Sequence, residues 1–148
     1  FNHRFLKLAR EINNSMPEYT VQKVVMGLNE AGMSVKNANI ALLGLAYKGG
    51  VNDVRESPAF PIIDQLENLG ANLTVFDPYV LHRSTVQELP KALEAKDCIV
   101  IVTNHREFKG ITAEHLKKTG VKVMVDGRNI LDKQEIERAG IVYKGIGR

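Results

Sequence analysis

Two hydrophobic periods share this chain. Phe1, Phe5, Leu8, Ala9 and Ile12 recur at the three-to-four-residue spacing of a helix face, and Asn13-Asn14 reads as its end. Ser15 then offers an N-cap, with Pro17 early in a second helix and Glu18 completing a capping box. Val21, Val24, Val25, Leu28 and Ala31 line one face of that helix, and Gly32 closes it. A chain that opens inside a helix without an initiator methionine reads as the C-terminal piece of something longer.

From Asn39 the period changes. Ile40–Leu45 is a continuous apolar run of the kind a strand buried on both faces requires. Leu73–Phe76, Ile99–Val102 and Val121–Val125 repeat it, and Ile141–Tyr143 does so more weakly. Helical stretches lie between: Pro58–Leu69, Val86–Ala95, Ala113–Lys118 and Lys133–Ala139. The alternation predicts a three-layer α/β/α Rossmann-like domain with a parallel sheet. A short extra strand at Ser84–Val86, beside Leu73–Phe76, would give the order 3-2-1-4-5. The crevice would then open between Ile40–Leu45 and Ile99–Val102, beyond the strands' carboxyl ends.

Composition narrows the function classes. The 148 residues are 44% hydrophobic and 25% charged, ordinary for a folded domain. A net charge of +3, with no basic block interleaved with aromatics, gives no support for nucleic-acid binding. No apolar run approaches the roughly 18 residues a membrane span needs. One cysteine precludes an internal disulfide and suits a cytoplasmic setting.

Polar residues gather where the predicted strands end. The first is followed by Tyr47-Lys48-Gly49-Gly50 and a loop through Asp53, Arg55, Glu56, Ser57 and Pro58. The others run into Asp77-Pro78, Thr103-Asn104-His105-Arg106 and Asp126-Gly127-Arg128-Asn129. Gly49-Gly50 permits a sharp turn, and Ser57-Pro58 suits a helix start. Lys48 and Arg55 beside that helix N-terminus, with its backbone donors, would make a phosphate site, to which Arg128 is added from the far loop. Two standard phosphate motifs fail. Gly44 and Gly49 have P-loop spacing, but Gly50 and Val51 stand where Lys and Ser/Thr belong, and no G-x-G-x-x-G opens a helix. Asp77-Pro78 reads as a strand end and turn. His105 has no metal-ligand spacing around it and reads as a hydrogen-bonding group at a helix start, so no metal is expected. Cys98, inside an apolar run, reads as a buried, inert thiol.

Gly44-Leu45-Ala46-Tyr47-Lys48 with Asp53-x-Arg55-Glu56-Ser57-Pro58-Ala59 resembles the C-terminal domain of the UDP-glucose/GDP-mannose dehydrogenase family. The resemblance continues through Phe76-Asp77-Pro78, Asp97–His105, Val125–Asn129 and Tyr143-x-Gly145-Ile146-Gly147. Upstream, Ala9–Asn13 with Met16-Pro17 resembles the end of that family's central helical region, which places a boundary at 34/35. The resemblance implies the following expectations. The whole enzyme oxidises the C6 hydroxyl of a nucleotide sugar to a carboxylate in two NAD-dependent steps. It is a dimer with an N-terminal NAD-binding domain, while this domain takes the UDP-sugar. Tyr47, Lys48 and Arg128 would contact the UDP-sugar, and Arg55 would reach toward NAD. The catalytic cysteine, the catalytic lysine and the glycine-rich NAD loop would all lie outside this stretch, leaving no catalytic residue here. The Tyr47–Ala59 motif is more similar to the UDP-N-acetylhexosamine branch, with UDP-N-acetylmannosamine first, than to the UDP-glucose branch. Two readings from other classes are an assembly module working through the early helices and a stand-alone NAD-binding domain suggested by Asp77.

Overall fold

The computed structural model describes residues 3–146; Phe1 and Gly147, and the side chains of residues 9–14, lie outside what is described. In chain order the elements are α1 (His3–Glu30), β1 (Asn39–Leu43), α2 (Ala59–Asn68), β2 (Asn72–Phe76), α3 (Leu89–Leu93), β3 (Cys98–Ile101), α4 (Ala113–Thr119), β4 (Val123–Asp126), α5 (Lys133–Arg138) and β5 (Val142–Gly145). Single 3₁₀ turns at Leu81–Arg83 and Arg106–Gly110 follow β2 and β3. All strand pairings are parallel, in the order β2-β1-β3-β4-β5.

The continuous apolar runs have the physical origin expected of them. In β1, Ile40 and Leu42 face α1 and α2, sharing that layer with Val24, Leu28, Ile62, Leu66, Val100 and Val125. Ala41 and Leu43 face the other way, into Phe108, Leu116, Met124 and Ile136. A strand with helices on both sides has no solvent face, so neither parity of position is polar. The winding reverses between β1 and β3, which opens the crevice at their carboxyl ends.

The structure corrects two expectations. Residues 84–86 form no strand, so the order is 2-1-3-4-5 rather than 3-2-1-4-5; Thr85 instead binds Val75 through both its amide and its hydroxyl. The crevice is unaffected, because it depends on the β1–β3 neighbourhood. The helix also does not break at Asn13-Asn14. α1 runs through, with Pro17 inside it and Ser15 and Glu18 in its body rather than at a start. Pro17 lacks the N–H for one helical bond. The turns after it are held on the sheet by Val21, Val24 and Leu28, which are buried in the same layer as α2. Gly32, at φ +75°, ends α1, with the Met33 amide donating to the Leu28 carbonyl at 2.8 Å.

Candidate functional site

The loop leaving β1 is the most heavily tied segment at the crevice. Gly44 adopts φ +106°, and its amide donates to the Phe76 carbonyl at 2.9 Å. The amides of Leu45 and Ala46 donate to one oxygen of Asp77, at 2.7 and 2.9 Å. Thr103 Oγ1 donates to the Ala46 carbonyl at 2.7 Å. Beyond Tyr47-Lys48, the Gly49 amide donates to Asn104 Oδ1 and the Gly50 amide to His105 Nδ1, each at 3.0 Å. Side chains from the ends of β2 and β3 thus take up the backbone polarity of a loop that has no strand partner.

That pattern fixes the state of His105. A backbone N–H only donates, so Nδ1 facing Gly50 carries no proton, and the proton of the neutral ring sits on Nε2, 2.9 Å from Asp77 Oδ2. Both side chains are fully buried. Tyr79 lies over the imidazole with ring centroids 4.5 Å apart, and Phe108 meets it edge-on. Burial alone would raise the Asp77 carboxyl; hydrogen bonds from His105 and from the amides of Ala46, Leu45 and Tyr79 outweigh it and hold it below the usual aspartate range.

Lys48 and Arg128, which are 80 positions apart, line one open cleft of about 480 Å³. Arg106 and Lys109 line it as well, as do Gly49, Gly50, Tyr79 and Asn104, and no carboxylate is among these residues. Arg128 is presented by a loop built on buried Asp126, which accepts from the Leu131 amide at 2.8 Å, the Tyr143 hydroxyl at 2.9 Å and the Arg128 amide at 3.3 Å. A Cβ on Gly127 would stand 2.6 Å from the Ile101 carbonyl oxygen, so glycine is required for that loop's close approach to β3. Four cations around one concavity make a site for a multiply charged anion such as a diphosphate.

The anion site differs in make-up from the sequence expectation. The Gly49 and Gly50 amides are consumed by Asn104 and His105, and the first free amide of α2 donates to Ser57 Oγ at 3.2 Å. Side-chain cations, not open backbone donors, therefore supply the positive field. Tyr47 and Arg55 do not line the Lys48 cleft. They open onto a neighbouring one of about 650 Å³ with Asp53, Glu56 and Pro58. Tyr47 joins the two, since the Lys48 ammonium lies 5.5 Å from its ring centroid. Arg55 pairs with Asp53 at 2.7 Å while remaining 87% exposed, and its guanidinium hydrogen bond holds the Asp53 carboxyl down to about 2.

Asp77 proves to be more than the start of a turn. It does start one, accepting from the Tyr79 amide at 2.8 Å, but it also anchors the β1 loop. His105 precedes a 3₁₀ turn without capping it by its side chain. Neither link had a local signal, because the partners lie 28 to 55 positions away. Lys109 carries no sequence signal because it lies inside the 3₁₀ turn Arg106–Gly110, which is too short to show a period. Cys98 is fully buried in β3, and burial pushes its thiol well above the ordinary cysteine range. A thiol reagent should therefore label the folded chain far more slowly than the denatured chain, which a colourimetric thiol assay with and without denaturant would measure.

Fold and site together define an α/β domain with a cation-lined cleft at the carboxyl ends of its parallel strands. The chain belongs to the UDP-glucose/GDP-mannose dehydrogenase family, whose UDP binding domain matches residues 41–133. The UDP-N-acetyl-D-mannosamine dehydrogenase of Pyrococcus horikoshii is 39% identical over 144 residues, 97% of this chain and 33% of that protein. A solved structure of UDP-D-ManNAc dehydrogenase from P. horikoshii superposes with a TM-score of 0.90 at 38% identity, covering 100% of this chain and 34% of that one. The NDP-N-acetyl-D-galactosaminuronic acid dehydrogenase of Methanosarcina mazei Go1 also superposes at 0.90, with 33% identity over 95% of this chain and 31% of its own. The chain spans about a third of the length of these relatives.

Proposed function

We propose that the cleft between Lys48 and Arg128 takes the diphosphate of a UDP-sugar. In this reading the chain is the nucleotide-sugar-binding part of an NAD-dependent UDP-sugar 6-dehydrogenase. The observation that carries it is the convergence of Lys48, Arg106, Lys109 and Arg128 on one concavity without a carboxylate. UDP-N-acetylmannosamine is the favoured substrate, supported by the Tyr47–Ala59 motif and by two N-acetylhexosamine-type relatives. The sugar's C6 hydroxyl would go to the carboxylate by a four-electron oxidation in which two NAD molecules each accept one hydride, water supplies the second carboxylate oxygen and protons are released. Residues 35–148 would hold the UDP-sugar, and residues 1–34 would lead in from the central helical region. A cytoplasmic setting accords with a chain in which no described helix is long and apolar enough to cross a membrane.

Each residue's task follows from its place. Lys48 and Arg128 would grip the phosphates from opposite loops, and Tyr47 would extend an exposed ring from the same turn. Arg55 fits a role toward NAD, being an exposed guanidinium on the neighbouring rim, held in direction by Asp53. No residue here is assigned to the chemical step, which belongs with an N-terminal NAD-binding domain of the same protein.

Titrating the chain with UDP tests the reading. A hundredfold excess over Kd adds about 2.7 kcal/mol and should raise the melting temperature by several degrees. Lys48→Ala and Arg128→Ala should each weaken UDP roughly tenfold or more, the worth of a hydrogen bond to a charged group. No thermal shift at millimolar UDP would count against a preformed site.

A second role has its own observation. Phe5, Leu6 and Leu8 on α1 are 67%, 44% and 55% exposed, an apolar surface suited to pairing in a homodimer. Sedimentation across a concentration range would detect association; a strict monomer would remove that role from this chain.

A further inference from the structure

The buried Asp77–His105 pair touches no cleft surface and has no part in the phosphate contacts just proposed. Two buried ionisable groups need a reason, since desolvation is costly unless every lone pair and proton is placed. Here Asp77 Oδ1 accepts the Tyr79 amide, and the remaining bonds of the pair run to the backbone that carries Lys48. One Asp77 oxygen receives the Leu45 and Ala46 amides immediately before Tyr47-Lys48, and the same oxygen receives His105 Nε2–H. The other end of the ring receives the Gly50 amide, two residues after Lys48. The lysine-bearing turn is thus clamped from both sides by one connected chain of hydrogen bonds, anchored at the ends of β2 and β3. The Lys48 side chain itself is exposed, with no partner among the described residues except the Tyr47 ring.

We propose that Asp77 and His105 are positioning residues that hold the Lys48 turn in the geometry needed to meet a phosphate. They act through the amides of Leu45, Ala46 and Gly50. This rests on reading the cleft as a diphosphate site. A rigid turn spares the ligand the entropy of ordering it, so the pair's contribution is delivered through Lys48 and vanishes when Lys48 is absent.

A double-mutant cycle with UDP as the probe separates this from simple support of the fold. His105→Phe keeps the ring packed between Tyr79 and Phe108 but removes both hydrogen bonds. It should weaken UDP about tenfold, like Lys48→Ala, and the double variant should be no weaker than Lys48→Ala alone. His105→Asn, whose amide oxygen can accept from the Gly50 amide, should regain most of the affinity. Wild-type affinity in His105→Phe, or losses that multiply in the double variant, would overturn the proposal. Unchanged affinity in Lys48→Ala would overturn the reading of the cleft, and this inference with it. Should His105→Phe fail to fold, NMR on the unaltered chain decides. The Gly50 amide and the His105 ring nitrogens should shift as UDP saturates Lys48. Shifts at Lys48 with none at Gly50 or His105 would refute the clamp.

Discussion

Replacing Gly44 with alanine should cost this fold about 3 kcal/mol or more and lower its melting temperature by about 10 °C. Two independent penalties combine. At φ +106° an L side chain is strained. A Cβ there would also stand 2.6 Å from the Thr103 amide nitrogen, a backbone atom just past the end of β3, and collide with that residue's Cβ and hydroxyl. Gly50 provides the control. It also has positive φ, +77°, but a Cβ on it would meet nothing within 4 Å. Gly50→Ala should therefore carry only the conformational penalty, about 1 kcal/mol. Thermal scans of the two variants side by side decide the matter; if Gly44→Ala melts no lower than Gly50→Ala, the close approach between the β1 and β3 ends is wrong.

Asp77→Ala should be the more damaging change at neutral pH, by roughly 3–5 kcal/mol, because it leaves a buried imidazole N–H and three amides without their acceptor. Its pH signature follows from the direction of the shift. The folded carboxyl lies below its unfolded value near 3.8, so the stability it contributes is fully present above that pH. It is lost as pH falls through the folded value. Chemical denaturation of both forms should thus show a constant gap above about pH 5 that narrows below pH 4. A gap that stayed the same into strong acid would mean that Asp77 is not held ionised by these bonds.

How much of this could be read beforehand depends on the range of the interaction. The strands were legible because burial on both faces writes itself into consecutive residues, as in Ile40–Leu43. Lys48 and Arg128 could be placed at one edge because parallel strands send all their exits the same way. The clamp could not be read, since Asp77 followed by Pro78 carries the signal of a local turn whether or not its second oxygen reaches another loop. The same limitation explains α1. Ser15, Pro17 and Glu18 spell a helix start locally, yet burial of Val21, Val24 and Leu28 on the sheet decides where the helix runs. Open backbone donors are expected from the helix start at Ser57-Pro58, but a capping signal does not reveal which groups line the cleft.

The outer rim of β2 has one further consequence. A sheet that ends in a bare strand can recruit the strand of another molecule. Here the Thr85 hydroxyl accepts the Val75 amide at 2.9 Å and the Ser84 hydroxyl accepts the Asp77 amide at 2.9 Å, while the Thr85 amide donates to the Val75 carbonyl at 2.8 Å. Two hydroxyl side chains stopper the groups that a foreign strand would need as a template. A foreign strand therefore finds the backbone from Val75 to Asp77 already occupied on that side.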